Sequence, residues 1–312
     1  MLDPELQPIV DLLPPIDLDD PVAARAGFES MLAALNLTIP GGEALDIEDR
    51  QIPGFDGGPD VRVRLYRPKE SATPMPCIVH IHGGGFVVGN VETEHVGAGM
   101  SALATGALVI SVDYRLAPEH PYPAGLHDCY AALLYAAENT GTLGIDPARI
   151  ALSGASAGGG LSAATALFAR DMAGPPICFQ MLHIPELDDR LETPSMKRFV
   201  DSPLWNQPLA VKSWQYYLGP MYGSDDVPIY AAPARATDLS DLPPAYISTA
   251  ENDPLRDEGM TYALGLLQAG VSVELHQFPG TFHGSGLVAG ATVSKRAQHE
   301  ATVVMRRALG VD

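Results

Sequence analysis

Short apolar runs alternate with longer, alanine-rich stretches along most of this chain. The apolar runs cover residues 77–81, 107–112, 149–152, 245–249 and 271–278. Each run is short and nearly continuous, which is typical of strands that are buried on both faces of a sheet. The stretches with helical composition cover residues 125–139, 157–172 and 257–269. This alternation predicts an α/β fold with a mostly parallel central sheet and helices on both of its faces.

Two N-terminal segments follow other patterns. Val61, Val63 and Leu65 alternate with polar residues, which predicts a half-buried strand near an edge of the sheet. Before this strand, residues 4–13 and 21–35 have the composition of two helices, and a turn signal rich in proline and glycine follows them.

A long insertion interrupts the alternation at residues 184–226. It is polar, punctuated by prolines and rich in aromatic side chains, and it contains no run that could form a buried strand. We expect this insertion to fold over the sheet beside the N-terminal helices. Its aromatic residues are candidates to line an apolar pocket or to form the interior of the insertion itself. They are Trp205, Trp214, Tyr216 and Tyr217.

Composition narrows the choice of partner and compartment. The chain has 312 residues and a formal net charge of −19, and this charge repels nucleic acid and anionic lipid surfaces. Cys77, Cys129 and Cys178 each lie in an apolar run, which favours buried free thiols in a reducing compartment over a disulfide framework. The N-terminus lacks a basic signal-peptide region, and no apolar stretch reaches the roughly 18 residues of a membrane span. We therefore expect a soluble, cytoplasmic protein.

The strongest local signal is a G-x-S-x-G pattern at Gly154, Ser156 and Gly158. A short apolar strand precedes it and an alanine-rich helix follows, which is the context in which such a serine becomes an exposed nucleophile. Glycine is required on both sides because side chains there would collide across the sharp turn. Ser153 lacks the flanking glycines and Ser162 lies inside the helix. A glycine-rich turn with an ordinary serine is the alternative reading of the pattern alone.

A second glycine-rich segment, His82-Gly-Gly-Gly-Phe86, follows the strand at 77–81. Acyl transfer places negative charge on a carbonyl oxygen, which preorganised backbone N–H groups stabilise. We assign the N–H groups of Gly83, Gly84 and Ala157 to this role. A phosphate loop would require a nearby lysine, and none is present. His80 and His82 could together bind a metal, but no third ligand lies at a suitable spacing, so no metal site is predicted.

A nucleophile on such a turn is followed along the chain by an acid and then by a histidine. His283 is the best candidate for the base because its loop directly follows a predicted strand. His276 lies inside that strand, His299 lies in a C-terminal helix, and His183 begins the insertion.

For the acid, a loop after the strand at 245–249 contains Glu251, Asp253 and Asp257. Asp253 precedes a proline, which stiffens the turn and suits a carboxylate that fixes one imidazole tautomer. An Asx turn is the structural alternative for Asp253. Asp257 is expected to cap the helix that follows, with Arg256 or the helix N-terminus as its partner.

With these segments in place, the chain resembles the bacterial hormone-sensitive-lipase-like carboxylesterases of the α/β-hydrolase fold. The resemblance covers about two hundred residues of the core and rests on motifs in the expected order. They are HGGGF at 82–86, YRLAPEHPYPA at 114–124, GASAGG at 154–159, DPLRDEG at 253–259 and FHG at 282–284. Within the second motif, Arg115 and Glu119 are expected to brace the loop near the site. Ala155 departs from the family, which usually has an acidic residue there, and this change can alter the packing or the pH behaviour of the turn.

The resemblance implies a catalytic core of residues 46–183 with 227–312, and a helical cap of residues 1–45 with 184–226. It also implies hydrolysis of short- to medium-chain carboxylic esters, with no cofactor and often with a homodimeric assembly. Phe86, Trp205, Trp214 and Tyr217 are the candidates for the substrate pocket. Ser156 would attack the ester, His283 would act as general base and Asp253 would orient it.

Two alternative functions use the same residues or the same fold. An acyltransferase or amidase could employ the same triad, since fold and triad do not select the acceptor. A non-catalytic ligand binder is also known on this fold, but the binders that resemble this family lose the histidine that is present here at position 283.

Overall fold

The computed structural model describes residues 1–10, 13, 16–34 and 38–311. Its strands are Leu45–Ile52 (β1), Val61–Pro68 (β2), Met75–Ile81 (β3), Leu108–Val112 (β4), Ile145–Ala155 (β5), Phe179–His183 (β6), Ala245–Asn252 (β7) and Val273–Phe282 (β8). They form one sheet in the order β1-β2-β4-β3-β5-β6-β7-β8. The β1–β2 and β2–β4 pairs are antiparallel, and the other pairs are parallel.

Helices cover both faces of this sheet. They are Gln7–Val10 (α1), Pro21–Ala34 (α2), His95–Thr105 (α3), Ala124–Glu138 (α4), Thr140–Leu143 (α5), Ala157–Asp171 (α6), Pro194–Arg198 (α7), Gln207–Leu218 (α8), Arg256–Gln268 (α9) and Thr292–Leu309 (α10). Val79 of β3 shares an apolar cluster with α4, α6 and α9. The preceding residue, Ile78, points to the opposite face and shares a cluster with α3 and α10. The predicted α/β-hydrolase architecture is confirmed.

All five apolar runs overlap strands, and the three helical stretches correspond to α4, α6 and α9. The alternating segment is β2, one strand in from the edge, with Val61, Val63 and Leu65 buried. The first predicted helix is shorter than expected, since α1 covers Gln7–Val10. Residues 11 and 12 and Leu35, at the ends of the two predicted helices, lie outside the described residues.

The sequence did not predict β1, β6 or α3. The edge strand β1 is mostly charged and exposed between its two ends, so it has no apolar face to detect. Within β6, the buried amide of Gln180 donates to the carbonyl of Pro243 at 2.9 Å. Two glycines, Gly97 and Gly99, weaken the helical signal of α3.

The N-terminal segment packs against the insertion. Leu18 shares a buried cluster with Trp205 and Ala210 of the insertion and with Val88 of the core. The hydroxyl of Tyr216 on α8 donates to the carbonyl of Leu18 at 3.0 Å. The two segments therefore lie together above the loop that follows β3, while the division of the chain into a core and a cap stays a prediction.

Candidate active site

Ser156 occupies the sharp turn between β5 and α6. Its backbone has φ 58° and ψ −124°, which is a strained conformation for a residue with a side chain. A Cβ on Gly154 would overlap the carbonyl of Gly158, and one on Gly158 would overlap the carbonyl of Ile81. Both glycines of the motif are therefore required by close backbone contacts.

A chain of hydrogen-bond contacts links the three residues that the sequence singles out. The Nε2 of His283 lies 2.9 Å from the Oγ of Ser156, and its Nδ1 lies 2.7 Å from the Oδ2 of Asp253. Ser156 and His283 are each 7% exposed, and Asp253 is fully buried. The residues follow β5, β7 and β8, whose parallel arrangement brings the carboxyl ends of these strands to one edge of the sheet.

Side-chain contacts hold the ends of β7 and β8 together. The Asn252 amide donates to the carbonyl of Thr281 at 3.0 Å, and the Glu251 carboxylate accepts from the N–H of Gly280 at 2.6 Å. Glu251, one of the three acids in the loop, is therefore engaged away from the imidazole. These contacts fix the loop of Asp253 relative to the loop of His283.

Asp257 caps a different helix from the one that its sequence position indicates. Its Oδ2 accepts from the N–H of Ser195 at 2.7 Å, in the first turn of α7. Its Oδ1 accepts from the guanidinium of Arg256 at 2.8 Å, as expected. The prediction that Asp257 caps its own helix, α9, is wrong, because the insertion places the start of α7 within reach of this carboxylate.

The glycine-rich loop (residues 82–88) lies against the turn of Ser156. A Cβ on Gly83 would lie 3.4 Å from the Cβ of Ser156, and Gly84 has φ +116°, a region that favours glycine. No carbonyl of the described chain accepts a hydrogen bond from the N–H of Gly83, Gly84 or Ala157. The three predicted donors therefore remain available beside the Ser156 hydroxyl.

His82 orients this loop through a hydrogen bond and a stacked ring. Its Nδ1 donates to the carbonyl of Gly83 at 2.7 Å, and its ring stacks on Tyr114 with centroids 4.0 Å apart. The hydroxyl of Tyr114 donates to the carbonyl of His82 at 3.1 Å. Burial lowers the pKa of His82 to about 4, so the ring is neutral at pH 7 and Nδ1 holds its proton.

The expected bracing residues bind to two different helices. Arg115 forms an ion pair with Asp128 of α4 at 2.8 Å. Glu119 forms one with Arg25 of α2 at 2.6 Å, and the same guanidinium donates to the carbonyl of Val87 at 2.8 Å. Arg25 thus ties the N-terminal helix to the glycine-rich loop, a contact that local sequence signals did not indicate.

A cavity of about 1170 Å³ opens beside Ser156 and His283. Its wall includes Trp205, whose ring lies 5.9 Å from the ring of His283. Side chains of α2 also contribute, and sequence reasoning did not assign them to the site. They are Phe28, Met31 and Leu32.

The other three pocket candidates do not line this cavity. Phe86 stacks on Tyr217 with ring centroids 4.0 Å apart, and Trp214 lies 5.3 Å from Phe86. Each of the three is at most 2% exposed. The prediction that they line the pocket is corrected: they form a buried aromatic cluster behind the glycine-rich loop.

Apart from histidines, the charged residues on the cavity wall are acidic. Within the part of the chain that the structure describes, the wall carries Glu29, Glu92 and Glu94 and neither lysine nor arginine. His80 is paired with Glu94 at 3.1 Å. Ala155, which replaces the acid usual in the family, also faces the cavity and is the register partner of His183.

Among residues 1–10, 13, 16–34 and 38–311, no group of three histidine, cysteine, aspartate or glutamate side chains is arranged to hold a metal ion. None of the helices in these ranges is long and apolar enough to cross a bilayer.

Comparison with known proteins places this geometry in a family. Residues 78–286 match the family described as alpha/beta hydrolase fold. Carboxylesterase NlhH of Mycobacterium tuberculosis is 43% identical over 91% of this chain and 88% of its own length. Esterase LipI of the same organism is 38% identical over 93% of this chain and 91% of its own. A solved structure of a bacterial heroin esterase is 52% identical, with a TM-score of 0.96 over 99% of this chain and 98% of that one.

The chain belongs to the α/β-hydrolase fold family. It is a carboxylic ester hydrolase, and the resemblance to hormone-sensitive-lipase-like carboxylesterases that the motifs predict is confirmed.

Proposed function

We propose that Ser156, His283 and Asp253 hydrolyse carboxylic esters through a covalent acyl-enzyme. The observation that carries this proposal is the buried chain of contacts from Asp253 through His283 to the Ser156 hydroxyl. The Nε2 of His283 takes the proton as Oγ attacks the ester carbonyl carbon. Asp253 holds the Nδ1 proton in place and stabilises the imidazolium that forms.

The N–H groups of Gly83, Gly84 and Ala157 receive the negative charge of the tetrahedral intermediate. Two observations support this assignment. In the described ranges no backbone carbonyl accepts from these N–H groups, and Ser156 lies at the N-terminus of α6. Donors that are already oriented need no reorganisation as the charge develops.

The intermediate collapses when the bond from the carbonyl carbon to the alcohol oxygen breaks. The imidazolium of His283 gives its proton to this departing oxygen, which leaves as the alcohol. A water molecule then attacks the acyl-enzyme while Nε2 accepts one of its protons. The bond from the acyl carbon to Oγ then breaks, the His283 imidazolium returns this proton to Oγ of Ser156, and the carboxylic acid leaves.

We propose neutral or cationic esters with short to medium acyl chains as the substrate class. The cavity volume of about 1170 Å³ is sufficient for an alcohol group of drug size. Over the described ranges the wall carries Glu29, Glu92 and Glu94 but neither lysine nor arginine. Glu92 is paired with Arg62 and Arg64, and Glu94 with His80, so Glu29 is the wall acid that would repel an ester with a free carboxylate. The similarity to a bacterial heroin esterase supports a bulky alcohol group.

The substrate class is tested by esters whose acyl chains have the same number of carbons. The butyrate of an aromatic alcohol, the hemisuccinate of the same alcohol and the butyrate of an amino alcohol are compared by kcat/KM. We expect the hemisuccinate to be the poorest by at least about tenfold, with a difference that shrinks at high salt. Equal rates for the hemisuccinate and the butyrate of the aromatic alcohol would contradict the proposed class.

Hydrolysis is separated from acyl transfer by product analysis. Adding methanol or a primary amine during turnover lets either compete with water for the acyl-enzyme. Free acid as the main product supports the hydrolase, whereas a dominant new ester or amide would favour the transferase alternative. Turnover of a p-nitrophenyl ester separates both enzymes from a non-catalytic binder.

We also propose that the enzyme forms a homodimer in a reducing compartment. Exposed leucines near the β8 edge of the sheet, Leu264, Leu267 and Leu275, support such an interface. The free thiols of Cys77, Cys129 and Cys178 support the compartment. Light scattering on the purified enzyme measures the mass in solution.

A further inference from the structure

Glu186 is a fully buried acid next to the proposed nucleophile. It lies three residues after the end of β6, and its backbone N–H donates to the carbonyl of Ser156 at 3.0 Å. A Cβ on Gly160 of α6 would overlap the carbonyl of Glu186, so the glycine at 160 allows this close approach. No motif in the sequence indicated a role for Glu186.

The side chain of Glu186 reaches the glycine-rich loop through one hydroxyl. The Oγ of Ser213 on α8 lies 3.1 Å from the Oε1 of Glu186 and 2.9 Å from the carbonyl oxygen of Gly85. This carbonyl belongs to the residue directly after Gly83 and Gly84, whose N–H groups are the proposed oxyanion donors. Glu186, Ser213 and Gly85 therefore form a line of three polar groups from the insertion to the loop.

The two hydrogen bonds among Glu186, Ser213 and Gly85 need two donated protons, and this requirement determines the protonation state of Glu186. The Ser213 hydroxyl has one proton, and the Gly85 carbonyl can only accept. The contact from Ser213 to the Gly85 carbonyl is the shorter of the two, so we place the hydroxyl proton there. The contact between Ser213 and Glu186 is then a hydrogen bond only if Glu186 donates. Both bonds can form together only if Glu186 is a protonated acid.

The surroundings of Glu186 favour the same state. Its Oε2 is buried and has no partner within the described chain, and an ionised oxygen in such a position would be costly. The titratable groups around it are Asp253 after β7, Glu258 on α9 and the phenols of Tyr114 and Tyr217. None of the lysine, arginine or histidine side chains described in the structure forms an ion pair with Glu186.

We propose that Glu186 is a positioning residue. Its protonated carboxyl group donates to the Ser213 hydroxyl, which donates to the Gly85 carbonyl, and these two bonds hold the glycine-rich loop in its oxyanion-binding geometry. This inference rests on the proposed function, since it assumes that the loop binds the oxyanion. When Glu186 ionises, the Ser213 proton turns to the carboxylate and the Gly85 carbonyl loses its partner. The loop is then less well ordered, and kcat falls while substrate affinity changes little.

The direction in which kcat changes with pH follows from the raised pKa of Glu186. Burial raises the pKa of Glu186 from its usual range to about 8. The proton is therefore present at neutral pH and is lost as the pH rises through this value. We expect kcat to decline with a midpoint near this pKa, so that kcat at pH 9 is about tenfold lower than at pH 7.

The test compares kcat and KM from pH 6 to pH 10 for an aliphatic ester whose leaving group does not titrate. Glu186→Ala should lower kcat at pH 7 by about tenfold or more. Glu186→Gln, whose amide donates to Ser213 without titrating, should rescue most of this loss and remove the alkaline decline. Ser213→Ala should lower kcat at neutral pH and also flatten the decline.

Glu258→Gln is the matched control, because Glu258 is also a buried acid with a raised pKa. Its Oε1 accepts from the N–H of Leu187 at 2.7 Å and is not connected to Ser213. This variant should keep the alkaline decline of the parent enzyme. If Glu258→Gln removes the decline, or if Glu186→Gln keeps it at the same midpoint, the proposal is overturned.

Infrared spectroscopy measures the protonation state of Glu186 independently of enzyme activity. At pH 7 the carbonyl band of protonated carboxyl groups should lose intensity in Glu186→Gln relative to the parent. An unchanged band would mean that Glu186 is ionised, and this outcome overturns the proposal even if the variants fold poorly. An error in the assignment of Ser156 would instead appear as turnover retained by Ser156→Ala, and it would leave this band unaffected.

Discussion

The carboxylate of Asp253 binds His283 and the backbone of its own loop at the same time. Its Oδ2 lies 2.7 Å from the Nδ1 of His283, while its Oδ1 accepts from the N–H of Leu255 at 2.8 Å. With one oxygen held by the backbone, the other is oriented before the imidazole meets it. The tautomer and the orientation of the His283 ring therefore both depend on this single side chain.

The two acids of this loop are expected to differ in the kind of defect that their loss causes. Asp253→Asn should lower kcat by roughly 10⁴-fold, because the amide favours the wrong imidazole tautomer. Asp257→Asn should lower the free energy of unfolding by about 1 kcal/mol through the weakened cap of α7, with a mild kinetic effect. Steady-state kinetics and urea unfolding of both variants measure this, and the reverse order in kcat would make Asp257 the triad acid.

Removing the proposed nucleophile should leave a folded protein with little activity. Ser156→Ala is expected to lower kcat by several powers of ten, because members of a triad act as a unit. Its thermal unfolding should remain close to that of the parent. Mass spectrometry after treatment with an organophosphate or a sulfonyl fluoride should place the adduct at Ser156 alone. Wild-type turnover by the variant would eliminate Ser156 as the nucleophile.

The loss of Trp205 should change ester selectivity, whereas the loss of Trp214 should mainly lower stability. Trp205→Ala enlarges the cavity beside His283 and should shift the preference between short and long acyl chains by roughly tenfold, about 1.4 kcal/mol. Trp214→Ala removes a fully buried ring and should lower the free energy of unfolding by about 3–5 kcal/mol. Relative kcat/KM for p-nitrophenyl esters from acetate to decanoate, measured below the melting temperature of each variant, checks both expectations. Equal loss for every chain length in Trp205→Ala would mean that Trp205 does not select the acyl group.

A methyl group in the glycine-rich loop should impair catalysis more than folding. At Gly84 a Cβ would overlap the carbonyl of Val88, and the residue has φ +116°. Gly84→Ala should therefore displace an oxyanion donor and lower kcat by about 10²–10³-fold. Gly141→Ala is the control, since a Cβ at Gly141 meets no atom within 4 Å. A similar kcat for the two variants would remove Gly84 from the oxyanion site.

Much of the fold follows from the sequence because a buried parallel strand has a continuous apolar run that local composition reveals. This holds for the runs that became β3, β4, β5, β7 and β8. It fails for β1, whose edge position allows charged side chains along its length. It also fails for β6, which contains a buried amide at Gln180 that finds its acceptor only in the folded chain.

Local patterns along the chain predict the chemistry of this protein. Ser156 with its flanking glycines, the loop at 82–88 and the acid and histidine that follow are local patterns, and their order along the chain restricts which residues can meet. The surroundings of these residues depend on how the chain folds. The fold places Trp205 on the cavity but Trp214 behind the loop, gives Asp257 a partner in α7 and sets Glu186 against Ser213. Local patterns report how strongly a side chain tends to be buried, whereas its neighbours depend on packing between segments that are far apart in the chain.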